Sequence, residues 1–561
     1  MQRAIRLARG ARVSLPVAEE RPLAPSRQVA AARVGAPALL VLLALLAALP
    51  LAAVEIPPFF DYLNHLSRAH IIAEFDASPT FRDWFEPASL LIPNVGADLS
   101  LLALRSVTDT LTAGRLLLLA IAWGTLGGAA ALGRAASGRV SPWPAFAALV
   151  LFNEMLHWGF LNYALGLALL LWGLAAWIAL GARARRLQIA TGCVFALLIF
   201  FCHLVAFGLF VIAVAAIELE AVLAERRKRG GAVLPLLRAR LPAALVAAAP
   251  LALFVIGSPS SGLPPAPAFN FSPFEKLSPF TRLLSSGSPV LDAFVLTAAA
   301  ALLAALIVLG RVRLDRRLGF AAAALFLAQM AMPYSAMHSF FVDNRVATAT
   351  VLVLLSGLAT RNRAPSNTER LGWGALALLL ALRSAALVQG WGAAEAELRE
   401  ARSAFDALPR GSLLIGATPT GFEYGTYWFA TRSRTPPHEH TASLATIERE
   451  AVVPAIFAKP RQNPLVFDPP TAMIKRMSLG PIPRLRVGWH FAALSQRLRL
   501  ARAEMDAAGH ADQPIFVFAA DLACADWPPG FGFRPVACGS FFSIATFRPN
   551  GRFVPIPRSE R

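Results

Sequence analysis

The placement of arginine between the apolar runs constrains this chain more than any other feature. Eleven apolar runs can be read, at 35–54, 112–133, 142–157, 159–180, 188–202, 204–222, 240–257, 289–310, 318–334, 345–360 and 371–390. Several of them reach the roughly 20 residues that an upright helix needs to cross a bilayer. Every second gap holds a basic cluster: Arg134 and Arg139; Arg183, Arg185 and Arg186; Arg226, Arg227, Lys228 and Arg229 with Arg238 and Arg240; Arg311, Arg313, Arg316 and Arg317; Arg361, Arg363 and Arg370. With the N-terminal arm these gaps carry 25 lysines and arginines, whereas the opposite gaps and helix mouths carry seven: Arg68, Arg82, Arg105, Arg115, Lys276, Arg282 and Arg345. Basic loops stay in the cytoplasm, so the alternation predicts about eleven transmembrane helices with the N-terminus inside and the C-terminus outside. The stretch from Gln188 to Val222 is too long for one upright helix and is basic at both flanks, which requires an even number of crossings. A hairpin turning near His203 satisfies both conditions.

Composition agrees. Apolar residues make up 56% of the chain and charged ones 16%, outside the usual soluble range. A net charge of +19 would suggest nucleic acid in a soluble protein, but here much of the excess sits in short inter-helix loops, so no nucleic-acid partner is expected. Residues 1–34 hold seven arginines and no apolar run, and are expected to form a disordered cytoplasmic arm. The run that follows ends at Glu55 without a small-residue cleavage site, so it is expected to remain as the first transmembrane helix.

The transmembrane domain then spans 35–390, with long outer loops at 55–111 and 258–289. Within the first loop, Asp98–Thr112 is expected to form an interfacial helix with Leu99, Leu102, Ala103 and Val107 on its apolar face. The second loop, rich in Pro, Ser and Phe, reads as irregular. Beyond Gly390 the composition turns soluble. Short β-like runs such as Ser412–Ile415, Ile515–Ala519 and Phe541–Phe547 predict a small α/β domain over 391–561, on the outer face. Cys524 and Cys538 fall in that domain, where a disulfide would persist. The fold class is therefore mainly α: a polytopic membrane protein with a small C-terminal α/β extracytoplasmic domain.

The gaps without arginine clusters hold Asp61, His65, Glu154, His157, His203, His338 and Asp343. Ionisable groups collected at one rim of a membrane protein point to a site there. Asp61 follows Pro57-Pro58, which end the first helix, and a helix starting at Asp61 would put His65 and Arg68 on its face. A carboxylate at a low-dielectric boundary serves as a general base or ligates a divalent cation; the alternative is a loop Asp that caps the next helix. No other cofactor follows from the residues. Glu154 and His157, three residues apart, would bind a metal, pair with each other, or simply sit at headgroup level. Arg345, with Asp343 beside it and His338 nearby, suits a phosphate, or staples a helix end. In His438-Glu439-His440 a solvated loop is a simpler reading than a metal pair. No GxGxxG, Walker A, HExxH or GxSxG motif stands in a fitting context.

This layout resembles the C-type glycosyltransferase superfamily (GT-C): multi-pass enzymes that take sugars from polyprenyl-phosphate donors on the outer membrane face. The segments Asp61-Tyr62-Leu63-Asn64-His65-Leu66-Ser67-Arg68-Ala69 and Gly159-Phe160-Leu161-Asn162-Tyr163-Ala164-Leu165-Gly166-Leu167 are similar to uncharacterised bacterial members. Many members carry two adjacent acidic residues in the first loop; here Asp61 stands alone, with Glu55 six residues back. The resemblance implies an inner-membrane transferase whose partners are membrane lipid, a polyprenyl-phosphate-linked sugar and a glycan, lipid or protein acceptor. Asp61 would be the base, Glu154 or His157 would orient acceptor or base, and Arg345, helped by Lys276, His338 and His65, would hold the phosphate. A transporter or flippase, which would place charges at mid-membrane depth, and a non-catalytic assembly protein are the competing readings.

Overall fold

The structure, a computed structural model, describes residues 27–181, 184–230, 232–257, 267–336, 339–362, 365–419, 440–479, 484–485 and 489–549. Helices α1 (Arg27–Ala53), α2 (Tyr62–Ala73), α3 (Pro79–Trp84), α4 (Gly96–Arg105) and α5 (Thr110–Ser137) open the chain. After them come α6 (Glu154–His157), α7 (Leu161–Gly181), α8 (Arg185–Cys202), α9 (Leu204–Arg229), α10 (Val233–Arg240), α11 (Leu245–Gly257), α12 (Pro273–Thr281), α13 (Pro289–Val308), α14 (Arg316–Ala331), α15 (Val342–Ser356) and α16 (Asn367–Ala404). Among the described residues, seven spans are long and apolar enough to cross a membrane: α5, α7, α8, α9, the α10–α11 stretch, α13 and α16. The apolar part of α1, with α14 and α15, is shorter.

Local chemistry sets these boundaries. Asp109 caps α5 by accepting from the Thr112 amide, and Gly138, at φ +74, ends it in the left-handed conformation that glycine adopts without penalty. Ser366 and Glu369 close a reciprocal capping box at the start of α16. His203 turns α8 into α9: its extended backbone breaks the helix, and its Nδ1 accepts from the Val205 amide.

One apolar run takes a different form. Residues 142–157 are not a single α-helix but a 3-10 segment, Trp143–Val150, followed by the one-turn α6. Pro142 and Pro144 deny the start its amide donors, and Asn153 restarts the helix by accepting from Met155 and Leu156. Every residue from Trp143 to Val150 is buried. A 3-10 helix rises about 2.0 Å per residue, so these eight residues advance about 16 Å, against about 12 Å for an α-helix. The segment runs through the protein core: Trp143 donates to Thr360 at one end, while Glu154 meets Arg282 at the other.

In the first long loop, 55–111, the helix begins at Gly96 and breaks after Arg105. Ala97, Asp98 and Leu101 are its buried face, and Leu99 and Val107 point outward. The second long loop contains α12. The boundary expected at 390/391 falls inside α16, which carries the chain without a break into the C-terminal region.

That region is α/β. Strands β1 (Phe85–Pro87), β2 (Val312–Leu314) and β3 (Leu358–Thr360) precede it in sequence. Within it lie β4 (Leu413–Pro419), β5 (Leu465–Phe467), β6 (Arg484–Leu485), β7 (Ile515–Ala520), β8 (Phe533–Cys538) and β9 (Phe542–Phe547), with α17 (Leu444–Arg449), α18 (Ala472–Leu479) and α19 (Trp489–Ala507). The main sheet runs β6-β4-β7-β9-β8, parallel between β6, β4 and β7 and antiparallel elsewhere. β7 is buried on both faces, as a central strand covered on two sides must be. A disulfide joins Cys524 to Cys538 at the end of β8.

The C-terminal region is docked on the 55–111 segment. β1 pairs antiparallel with β5, Phe85 opposite Phe467, and the two rings pack edge-to-face at 4.9 Å. Ser67 on α2 donates to the Ser443 carbonyl at 2.6 Å, beside α17.

Candidate functional site

A cavity of about 410 Å³ opens where α2, α15, the α8–α9 turn and the C-terminal region meet. Asp61, His65, Arg68, Tyr163, His203, Arg345 and Arg461 are among its lining residues.

Asp61 occupies the position before α2 but does not cap it: its side chain accepts no capping hydrogen bond. Its backbone is clamped from the other side, with the Phe60 and Asp61 amides donating to the His157 and Trp158 carbonyls at 2.8 and 3.2 Å. The clamp requires a glycine next in line. A Cβ on Gly159, at φ +80, would sit 2.6 Å from the Asp61 nitrogen. The two segments that carry the family resemblance thus meet at Asp61.

Two turns further along α2, Arg68 is almost fully buried and forms a two-pronged pair with Asp98, at 2.8 and 2.9 Å. Its remaining donors reach the Phe457 carbonyl at 3.2 Å and His65 Nδ1 at 3.0 Å. A guanidinium only donates, so His65 accepts at Nδ1 and carries its proton on Nε2. Burial first, and then the Arg68 charge, holds the His65 imidazole well below its usual range. It remains a neutral donor.

Arg345 stands in the first turn of α15. Nη1 donates to Ser339 at 2.9 Å, the guanidinium lies over the Phe160 ring at 4.5 Å, and Nε has no hydrogen-bond partner among the described residues. A buried donor left unpaired costs on the order of 1–3 kcal/mol, so the group is poised to gain from an acceptor. Together with Arg68, Arg461 and neutral His65, it makes the cavity suited to an anion.

The other expected residues lie elsewhere. Glu154 pairs with Arg282 at 3.1 Å, and Lys276 pairs with Asp343 at 2.7 Å and also donates to the Met332 carbonyl. Arg282 and Asp343 line a second cavity of about 610 Å³, with Asp292, Tyr334 and Phe274. His157 is buried, with Nδ1 3.1 Å from the Asn153 carbonyl and its ring edge-on to Phe59 at 5.3 Å and Trp391 at 6.0 Å. His338 lies outside the described residues. Among the described residues no three His, Cys, Asp or Glu side chains gather closely enough to hold a metal ion.

Sequence reasoning weighed His440 only within His438-Glu439-His440, where a solvated loop was the simpler reading than a metal pair, and did not single out Asp98. His440 Nε2 lies 3.5 Å from Asp61 Oδ1, across 379 residues of chain. No local pattern could have located it. Asp98 carried a weak signal: it is an acidic residue in the same 55–111 segment as Arg68, Arg82 and Arg105.

No family model and no curated protein matches the chain. Two solved structures match it, both of ArnT from Cupriavidus metallidurans. The form bound to undecaprenyl phosphate aligns with a TM-score of 0.50 at 12% identity, over 91% of this chain and 98% of that one. The apo form aligns with a TM-score of 0.46 at 13% identity, over 92% and 98%. From the first helix to the C-terminal sheet, this chain has the multi-pass membrane fold of ArnT.

Proposed function

We propose that this protein is a membrane glycosyltransferase that moves a sugar from a polyprenyl-phosphate-linked donor to an acceptor at the outer membrane face. The observation that carries the reading is the joint presence of the Asp61 carboxylate and the Arg345 guanidinium, with an unpartnered Nε, on one cavity. The fold shared with ArnT, crystallised with undecaprenyl phosphate, supports the same class of donor.

In this reading the donor's phosphate is held by Arg345, and His65 donates from Nε2. Asp61 takes the proton of an acceptor hydroxyl as its oxygen attacks the anomeric carbon. The bond from that carbon to the phosphate oxygen breaks, the lipid phosphate leaves with the bonding pair, and the anomeric centre inverts. Glu154 and Lys276, each engaged in a buried ion pair, hold the helices around the site. The Cys524–Cys538 disulfide supports an extracytoplasmic C-terminal region, because such bridges persist in oxidising compartments. The arginine alternation points the same way.

The test is binding and turnover by the full-length protein in lipid nanodiscs. Undecaprenyl phosphate should bind, and Arg345→Ala should weaken it about tenfold or more, the value of one charge-assisted hydrogen bond. Undecaprenyl-phosphate-linked sugars should be discharged by the wild-type protein and not by Asp61→Asn. Binding that is indifferent to Arg345, or discharge at the wild-type rate by Asp61→Asn, would end the proposal.

A further inference from the structure

We propose that His440, carried by the C-terminal region, is a positioning residue for the Asp61 carboxylate, and that Asn64 sets which of its nitrogens faces Asp61. This rests on the glycosyl-transfer reading, in which Asp61 is the base.

The argument is one of donors and acceptors. Ser443 Oγ donates to Asn64 Oδ1 at 2.6 Å, while Asn64 Nδ2 points toward the Ala455 carbonyl at 3.5 Å and toward His440 Nδ1 at 3.0 Å. A carbonyl only accepts, so the nitrogen end of the Asn64 amide lies on that side. His440 Nδ1 must then accept, and its proton belongs on Nε2, the atom 3.5 Å from Asp61 Oδ1. The ring is held in place by edge contacts with Phe60 at 4.9 Å and Phe457 at 5.9 Å. The Ser67–Ser443 bond and the β1–β5 ladder hold the C-terminal region on α2. The membrane helices alone therefore supply Asp61 without the group that faces it. The inference makes the C-terminal region part of the reaction centre, not an appendage.

Two measurements on the full chain test this. The first is solid-state NMR of the ¹⁵N-histidine-labelled protein in bilayers, with the His440 signals assigned by their loss in H440Q. Nδ1 should be unprotonated and Nε2 protonated, and D61N should shift the Nε2 signal. A protonated Nδ1, or no response to D61N, would overturn the proposal. This readout needs no substrate, so it stands or falls separately from the transfer reading. The second is discharge of an undecaprenyl-phosphate-linked sugar. H440A should lose about 10²-fold in kcat, the usual penalty for a misplaced catalytic group, with KM unchanged. H440Q should retain most of the rate, because its amide N–H falls where Nε2–H lies, and H440N should not. Equal rates for H440A and H440Q would reduce His440 to a packing residue.

Discussion

The two cavities are built from the same kinds of residue, used in opposite ways. Around the larger one, two cations are spent on carboxylates: Lys276 on Asp343, Arg282 on Glu154. Around the smaller one, Arg68 is spent in the same manner on Asp98, but among the described residues Arg345 Nε has no hydrogen-bond partner, and Asp61 lies against His440. An ionisable residue at a membrane rim thus says little about function by itself. What distinguishes a site from a staple is whether its hydrogen-bonding capacity is already consumed.

Variants can break this contrast. The largest effect should come from Asp61→Asn, which removes a general base and should cost about 10²–10⁴-fold in transfer with the fold intact. Next come the spent pairs. Asp98→Ala and Asp343→Ala each strand a buried cation, and each should cost about 3–5 kcal/mol of stability in chemical or thermal unfolding. Any Asp343→Ala molecules that remain folded should bind undecaprenyl phosphate normally, which separates a staple from a site.

A smaller effect concerns acid. Burial, outweighing the Glu74 carboxylate, pushes His70 down to about 4. The folded protein keeps this imidazole neutral where the unfolded chain protonates it at about 6.5. Its contribution to stability is therefore complete above about pH 6.5 and is lost as the pH falls toward about 4. His65 titrates in the same sense. His70→Asn should flatten part of the fall in melting temperature across that window. The smallest effect should be Arg402→Ala. Its pairs with Glu55 and Glu448 are about one-third exposed on the arginine side, and such pairs contribute about 0–1 kcal/mol.

The membrane architecture was legible because bilayer crossing leaves a strong, local record: apolar length, flanking arginines, proline stops. The α8–α9 turn at His203 and the α2 face shared by His65 and Arg68 could be read on those grounds. The 3-10 segment at Trp143–Val150 could not, because an apolar run reports burial and not rise per residue. Nor could the Glu154–Arg282 and Lys276–Asp343 pairs, since partners 128 and 67 residues apart leave no periodicity to find. His440 was hidden most completely, in a polar stretch that reads as solvated and acquires its role only once β5 docks on β1.

The most direct test of the contrast is photo-crosslinking of the wild-type protein in nanodiscs with undecaprenyl phosphate bearing a photoreactive group next to the phosphate, followed by mapping of the labelled peptides. Labels on Phe160, His203, Val205 and Phe457, the walls of the Arg345 cavity, are the predicted result. Labels on Phe274, Tyr334 and Asn344, the walls of the cavity beside the Lys276–Asp343 and Arg282–Glu154 pairs, would contradict it.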